Sequence, residues 1–255
     1  MQPIIINDNT LYHANCFDAF PLVGSRTVDL IFADLPYGTT ACKWDTPLPL
    51  DLLWAEYKRV LKPNGVVVLT GSQPFTSRLV MSNLEWFRYE WIWEKNKASG
   101  FLLAKNQPLR SHENILVFCK NKPPYLPQKT DGEPYFRNPT NAISPDAYRD
   151  IKNYDSYIRK SEDGSRFPRS VQKFTTAQFD GKFHPTQKPV ALLAYLIKTY
   201  TNEGDLVLDN TMGSGTTGVA ATRLYRKFIG MEMDETYFNR AVKRIRKELG
   251  VFAAG

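Results

Sequence analysis

Short apolar, β-branched runs bounded by turn residues alternate with helical patterns along this 255-residue chain, and that alternation constrains its fold more than any other feature. Leu11–Ala14, Val28–Ala33, Val66–Thr70, Tyr89–Trp93, Ile115–Cys119, Asp205–Leu208 and Phe228–Met231 read as strands. Pro49–Leu61 reads as a helix stopped by Lys62, Pro63, Asn64 and Gly65, because proline and glycine end a helix before the next strand. Thr216–Leu224 and Asp234–Leu249 read as two more helices, the second with Asp234 as its N-cap. The expectation is an α/β fold: a mixed, mostly parallel sheet with helices on both faces.

Residues 121–182 break the pattern. They are rich in proline, tyrosine, lysine and arginine, and they lack a sustained period. So long a stretch inside a compact domain is usually functional, so it reads as an insertion between residues 1–120 and 183–255. A net charge of +7 and a pI near 9.2 suit a polyanionic partner without requiring one. Three scattered cysteines and three histidines leave no structural zinc site and fit a reducing compartment. With no signal-type start and no apolar run of about 18 residues, the chain is expected in the cytoplasm.

Two stretches carry the chemistry, each opening at a strand end. The first is Asp205–Asp209, followed by Asn210, Thr211, Met212, Gly213, Ser214, Gly215, Thr216, Thr217 and Gly218. Its glycines satisfy G-x-G-x-x-G, a weak signal by itself, and a dinucleotide pyrophosphate would rest on the following helix. Asp209 argues against that, because it sets a carboxylate where the pyrophosphate must lie. An acid there suits a ligand with a cationic end, such as the methionine ammonium of S-adenosylmethionine. The next strand ends in Glu232, beside Met233, where an acid can accept both hydroxyls of a ribose.

The second stretch is Asp34-Leu35-Pro36-Tyr37. An aromatic amine is a poor nucleophile because its lone pair is delocalised into the ring. A carboxylate and a backbone carbonyl that accept its two N–H hydrogens localise the pair and stabilise the charge developing on nitrogen. Asp34 would supply the carboxylate and Leu35 the carbonyl. Pro36 fixes the turn, and Tyr37 offers a face on which an extruded base can stack.

With those motifs in this order the chain resembles the β group of amino-methylating DNA methyltransferases, the circularly permuted class I methyltransferase fold of the adenine-N6 type. His184-Pro185-Thr186-Gln187-Lys188-Pro189 matches that group's recurrent motif, and His112–Lys120 resembles the segment lining its base pocket. The group more often has Asp-Pro-Pro-Tyr at the first motif and Asp-Pro-Phe before the glycines; Leu35 and Asn210-Thr211 depart from those patterns. The resemblance implies S-adenosylmethionine as cofactor, held by Asn15, Cys16 and Phe17 at its adenine, and by Asp34, His184, Thr186, Gln187 and Lys188 toward its methionine. Asp209, Asn210, Gly213, Ser214, Gly215, Thr216, Glu232 and Met233 would complete that site.

It also implies double-stranded DNA as substrate, residues 121–182 as the target-recognition region, and a base flipped out of the helix. Candidate DNA contacts are Lys95, Lys97 and Lys105 after a strand, with Arg137, Arg149, Arg166 and Arg169 among the aromatics of the insertion. A homodimer and a companion restriction endonuclease stay open. So do two rival readings, a cytosine-N4 methyltransferase and a catalytically silent DNA-binding homologue.

Overall fold

The computed structural model describes residues 2–38, 45–137, 159–176 and 187–250. β1 (Ile4–Ile6) and β2 (Asn9–His13) form a hairpin, and α1 (Cys16–Ala19) turns the chain toward β3 (Val28–Ala33). α2 (Leu50–Val60) leads into β4 (Leu61–Gly71), and α3 (Phe75–Ser82) into the long pair β5 (Phe87–Ser99) and β6 (Arg110–Phe118). A small hairpin, β7 (Tyr135–Arg137) and β8 (Arg159–Ser161), precedes β9 (Val171–Phe174). Then come α4 (Val190–Tyr200), β10 (Leu206–Asp209), α5 (Thr216–Arg223), β11 (Lys227–Glu232) and α6 (Glu235–Glu248).

The central strands are apolar at nearly every position because both faces of their sheet are covered. Leu30 and Phe32 of β3, Val66 and Val68 of β4, and Ile115 and Val117 of β6 face one core, against Leu193 and Leu196 of α4 and Val219 of α5. Ile31 and Ala33, Val67 and Leu69, and Leu116 and Phe118 face the other, against Leu53, Trp54 and Tyr57 of α2 and Leu79 of α3. Val28 should face the first core by parity, but it joins the second. Its partner Leu61 joins it there, and the register shifts before the next pair, Leu30 with Val66, as Lys62–Gly65 bulge out of β4.

Nine strands run in the order β1-β2-β11-β10-β3-β4-β6-β5-β9. From β2 to β4 neighbours are parallel, whereas β1 and β6 join antiparallel, and β9 lies parallel to β5. The crossover from β3 through α2 steps outward to β4, and that from β10 through α5 steps the opposite way to β11. The loops leaving β3 and β10 therefore diverge between adjacent strands. That is a topological switch point, where open α/β sheets bind ligands.

All seven strands read from the sequence are present, and α6 begins with the Asp234 carboxylate accepting from the Tyr237 N–H at 3.0 Å. The helix buries Phe238, Ala241, Val242 and Ile245 at i, i+3, i+4 and i+7. β1, α1, α3, β7, β8, β9 and α4 are additional to the elements read from the sequence. The insertion is also narrower than expected. Pro127–Arg169 forms a compact unit of its own, while Ser170 onward belongs with the sheet domain, where β9 adds an edge strand.

α5 begins at Gly215, whose φ of +78° lies in the left-handed region, and a Cβ there would stand 2.7 Å from Ala241 Cβ and 2.9 Å from its Cα. Gly215→Ala should destabilise the fold by about 1–3 kcal/mol, from backbone strain and overpacking together. Urea unfolding of the two proteins measures it.

Candidate active site

Asp34 is the first residue beyond β3, so a buried strand delivers its carboxylate to the switch point. Oδ1 accepts from the Tyr37 hydroxyl at 2.9 Å and from the Thr70 hydroxyl at the end of β4. Oδ2 accepts from Lys188 Nζ at 2.5 Å. The same ammonium lies 3.3 Å from Glu113 Oε2, and Glu113 Oε1 takes Lys95 Nζ. Lys95, Glu113, Lys188 and Asp34 thus alternate in sign along one inward-facing chain. Burial would lower the Lys188 ammonium, but Asp34 and Glu113 outweigh it and hold its pKa well above the ordinary value. Burial would raise Glu113, yet Lys188 and Lys95 hold it below the usual carboxylate range. Burial, and then Asp34, push the Tyr37 phenol well up, so it stays a neutral donor. Its ring stacks on Phe75 at 4.9 Å, and Leu35 is buried beneath the turn.

Across the switch point the glycine loop follows β10. Thr211 Oγ1 donates to the Asp34 carbonyl at 3.2 Å, which ties the two strand ends together. Asp209 accepts from the Thr211 N–H at 3.0 Å and the Thr217 hydroxyl at 2.5 Å, so it also shapes the loop. Glu232 accepts from the N–H groups of Gly213 at 2.9 Å and Asp234 at 2.8 Å. Arg244 of α6 donates to the Ser214 carbonyl and to Thr216 Oγ1, and Ser214 donates to Gln187 Oε1 at 3.3 Å. Asn15 caps α1 through Phe17 N–H at 3.0 Å, and Cys16 is buried behind it.

A cleft of about 900 Å³ joins these parts, lined by Asn15, Cys16, Phe17, Asp34–Tyr37, Gln187, Lys188, Asp209–Ser214, Thr216, Glu232 and Met233. Its size suits a cofactor-sized ligand. Its donor set suits one with a cationic end, a ribose and a heterocycle. The buried acid Asp209 and the half-buried Glu232 face it, Asn210 Nδ2 is buried without a hydrogen-bond partner, and nothing crowds Gly213 at φ +53°. Asn210 Oδ1, by contrast, is taken by the Tyr57 hydroxyl at 2.6 Å.

A family described as DNA methylase, of the N6 and N4 type, matches residues 28–243. The chain belongs to that family. It is 30% identical to the DNA adenine methyltransferase YhdJ of Escherichia coli K12, over 92% of this chain and 82% of that one. It is 29% identical to the Type II methyltransferase M2.DpnII of Streptococcus pneumoniae, over 95% of this chain and 91% of that protein. The solved M1.HpyAVI–SAM complex superposes with a TM-score of 0.61 at 27% identity, covering 92% of this chain and 98% of that one. PvuII DNA methyltransferase, cytosine-N4-specific, shares the fold at a TM-score of 0.63 and 15% identity, covering 95% of this chain and 90% of its own. The fold of this methylase is therefore the class I methyltransferase fold.

Lys188 of the methylase lines the cleft, with its ammonium on the Asp34 carboxylate. Two other residues stand elsewhere than the sequence suggested. Lys95, expected at phosphates, turns inward to Glu113 and lies 5.1 Å from the Trp93 ring centroid. Arg166 holds its own unit together, donating to the carbonyls of Gly164 and Glu133 and stacking 4.5 Å over Tyr135. That leaves it poorly placed as a DNA contact. Lys97, Lys105 and Arg169 are exposed. Arg137 is described only as the last residue of β7, and Arg149, His184 and Thr186 fall outside the described residues. Thr70 and Glu113 were missed as site residues. Only Glu113 carried a signal, its place in the segment likened to a base pocket.

Burial raises the Asp209 carboxyl to about 7, against the opposing hydrogen bonds from Thr217 and Thr211. The unfolded chain ionises this group near its ordinary value of 3.8, well before the folded one does. The contribution to stability is thus fully present below that value and is lost as pH climbs to about 7. Asp209→Asn should abolish that loss. Urea unfolding at pH 5 and pH 8 should show wild type losing on the order of a few kcal/mol relative to the variant.

Proposed function

We propose that this methylase transfers a methyl group from S-adenosylmethionine to N6 of adenine in double-stranded DNA, as a β-group enzyme of permuted motif order. One observation carries the reading. The Asp34 carboxylate stands at the switch point, with its residue's carbonyl bonded to the glycine loop that the cofactor-type acids Asp209 and Glu232 hold in place. The adenine assignment is supported by the relatives named as adenine methyltransferases and by an aspartate at the head of the tetrapeptide. The Type II name of a second relative fits a companion endonuclease, and the family's chemistry fits a cytoplasmic enzyme.

Asp209 would hold the methionine ammonium, Glu232 the ribose, and Asn210 with Asn15–Phe17 the adenine end. When bound, S-adenosylmethionine supplies an electrophilic methyl on a sulfonium. The target amine must then share Asp34 Oδ2 with Lys188. Glu113, 3.3 Å from that ammonium, lets Lys188 lean away without losing a counter-charge. Asp34 and the Leu35 carbonyl accept the amine's two hydrogens, and Asp34 takes the proton that nitrogen sheds after alkylation. Tyr37, braced by Phe75, stacks on the flipped base. Pro127–Arg169 reads the target, with Arg137, Arg149 and Arg169 as its remaining candidate contacts.

Single-turnover transfer of labelled methyl to DNA carrying the mapped site tests this. Asp34→Asn should lower the rate by roughly 10²–10³-fold while S-adenosylmethionine still binds, because the variant loses the charge that stabilises the cationic nitrogen. Leu35→Pro should stay active, since its backbone carbonyl persists. Equal rates for wild type and Asp34→Asn would overturn the mechanism, and no transfer by wild type would favour a silent DNA-binding protein.

A further inference from the structure

The β5–β6 pair does more than carry Glu113. β4 ends at Gly71, paired with Asn114, and beyond that point β6 pairs only with β5. The four further residues back to Arg110 carry the pair about 13 Å past the carboxyl ends of the central strands. Arg110 and Glu113 both line the cleft, so the hairpin rises from its rim.

The tip is apolar and exposed. Phe101, Leu102 and Leu103 are 76%, 84% and 49% exposed, and Leu109 is 46% exposed. Single exposed apolar side chains are ordinary on a protein surface, but three in succession at the end of a projecting hairpin are not. The tip also has a defined conformation. Gly100, at φ +88°, starts a single helical turn in which the N–H groups of Leu103 and Ala104 bond to the carbonyls of Gly100 and Phe101, at 3.0 and 3.1 Å. The N–H groups of Asn106 and Gln107 close on the Leu103 carbonyl at 2.9 and 3.0 Å. From Asn96 to His112 the chain carries Lys97, Lys105 and Arg110 and no acid. An apolar point flanked by cations, set on the rim of a base-accepting cleft, has the chemistry of a wedge that enters a base stack while its flanks meet phosphates.

We infer that Phe101 and Leu102 form such a wedge, which enters the DNA duplex beside the target and fills the space left when the base turns into the cleft. The inference rests on the DNA-methylating reading and names the element that opens the duplex. The occupant is double-stranded DNA. Charge complementarity along the hairpin and its continuity with the cleft both argue for it.

The test uses the full chain and two duplexes carrying the mapped site, one with adenine at the target position to read methyl transfer and one with 2-aminopurine there to read emission. Wild type should raise the 2-aminopurine emission as that base leaves the stack. Phe101→Ala with Leu102→Ser should abolish most of that rise and slow methyl transfer to the paired duplex by roughly tenfold or more. Placing the target base opposite a mismatch should restore transfer to within a few-fold of wild type, because unpairing no longer needs help. Phe101→Trp should keep the activity and lose tryptophan emission on binding the duplex.

Unchanged emission and transfer in the double variant would overturn the wedge. So would a transfer defect that the mismatched duplex does not relieve. A double variant that turned a dimer into a monomer in sedimentation, with flipping intact, would assign the tip to a second copy and reject the inference. Absence of transfer by wild type on every duplex would instead remove the enzymatic reading beneath it.

Discussion

Everything at the switch point depends on aiming one carboxylate, that of Asp34, into the cleft beside charges largely withdrawn from water. Desolvation opposes each charge there, and only a partner of opposite sign at close range offsets it. Asp34 has Lys188, Lys188 has Glu113, and Glu113 has Lys95. The chain of charges reaches from the end of β3 across β6 to β5, with Lys188 entering just before α4. Removing Lys188 would leave Asp34 without its counter-charge, and removing Glu113 would leave Lys95 without its own. The site therefore requires the antiparallel part of the sheet as well as the parallel strands that form the cleft.

The parallel part contributes position. Two crossovers leave β3 and β10 in opposite directions, so the loops behind Asp34 and Asp209 open a crevice between adjacent strands. A bond from Thr211 Oγ1 to the Asp34 carbonyl ties the two loops together. The glycine loop also needs conformations that side chains resist, at Gly213 and Gly215, and α6 packs so closely on Gly215 that no Cβ fits. Donor-side and acceptor-side chemistry thus meet because of the connectivity of the sheet, not because of any single motif.

Much of this was legible in the sequence, for a definite reason. Strand runs, the capping Asp234, the acids Asp209 and Glu232, and the Asp34–Tyr37 turn are local signals in which chemistry and conformation sit within a few residues. What stayed hidden depends on distance along the chain. Lys188 finds Asp34 across 154 positions, and nothing near residue 188 announces that partner. Arg166 looked like a DNA contact because it lies among aromatics. In the structure Tyr135 and the carbonyls of its own unit are what hold it. β9 looked like insertion because a four-residue edge strand shows no period until the sheet beside it exists.

The central claim concerns which atom receives the methyl group, and it can be read from the product directly. Duplex DNA incubated with the purified protein and S-adenosylmethionine is digested to nucleosides and resolved by chromatography with mass detection. The account predicts N6-methyl-2′-deoxyadenosine, in an amount that scales with the number of sites. N4-methyl-2′-deoxycytidine in its place would contradict the adenine assignment. Methylation of a ring carbon would contradict the lone-pair chemistry assigned to Asp34 altogether.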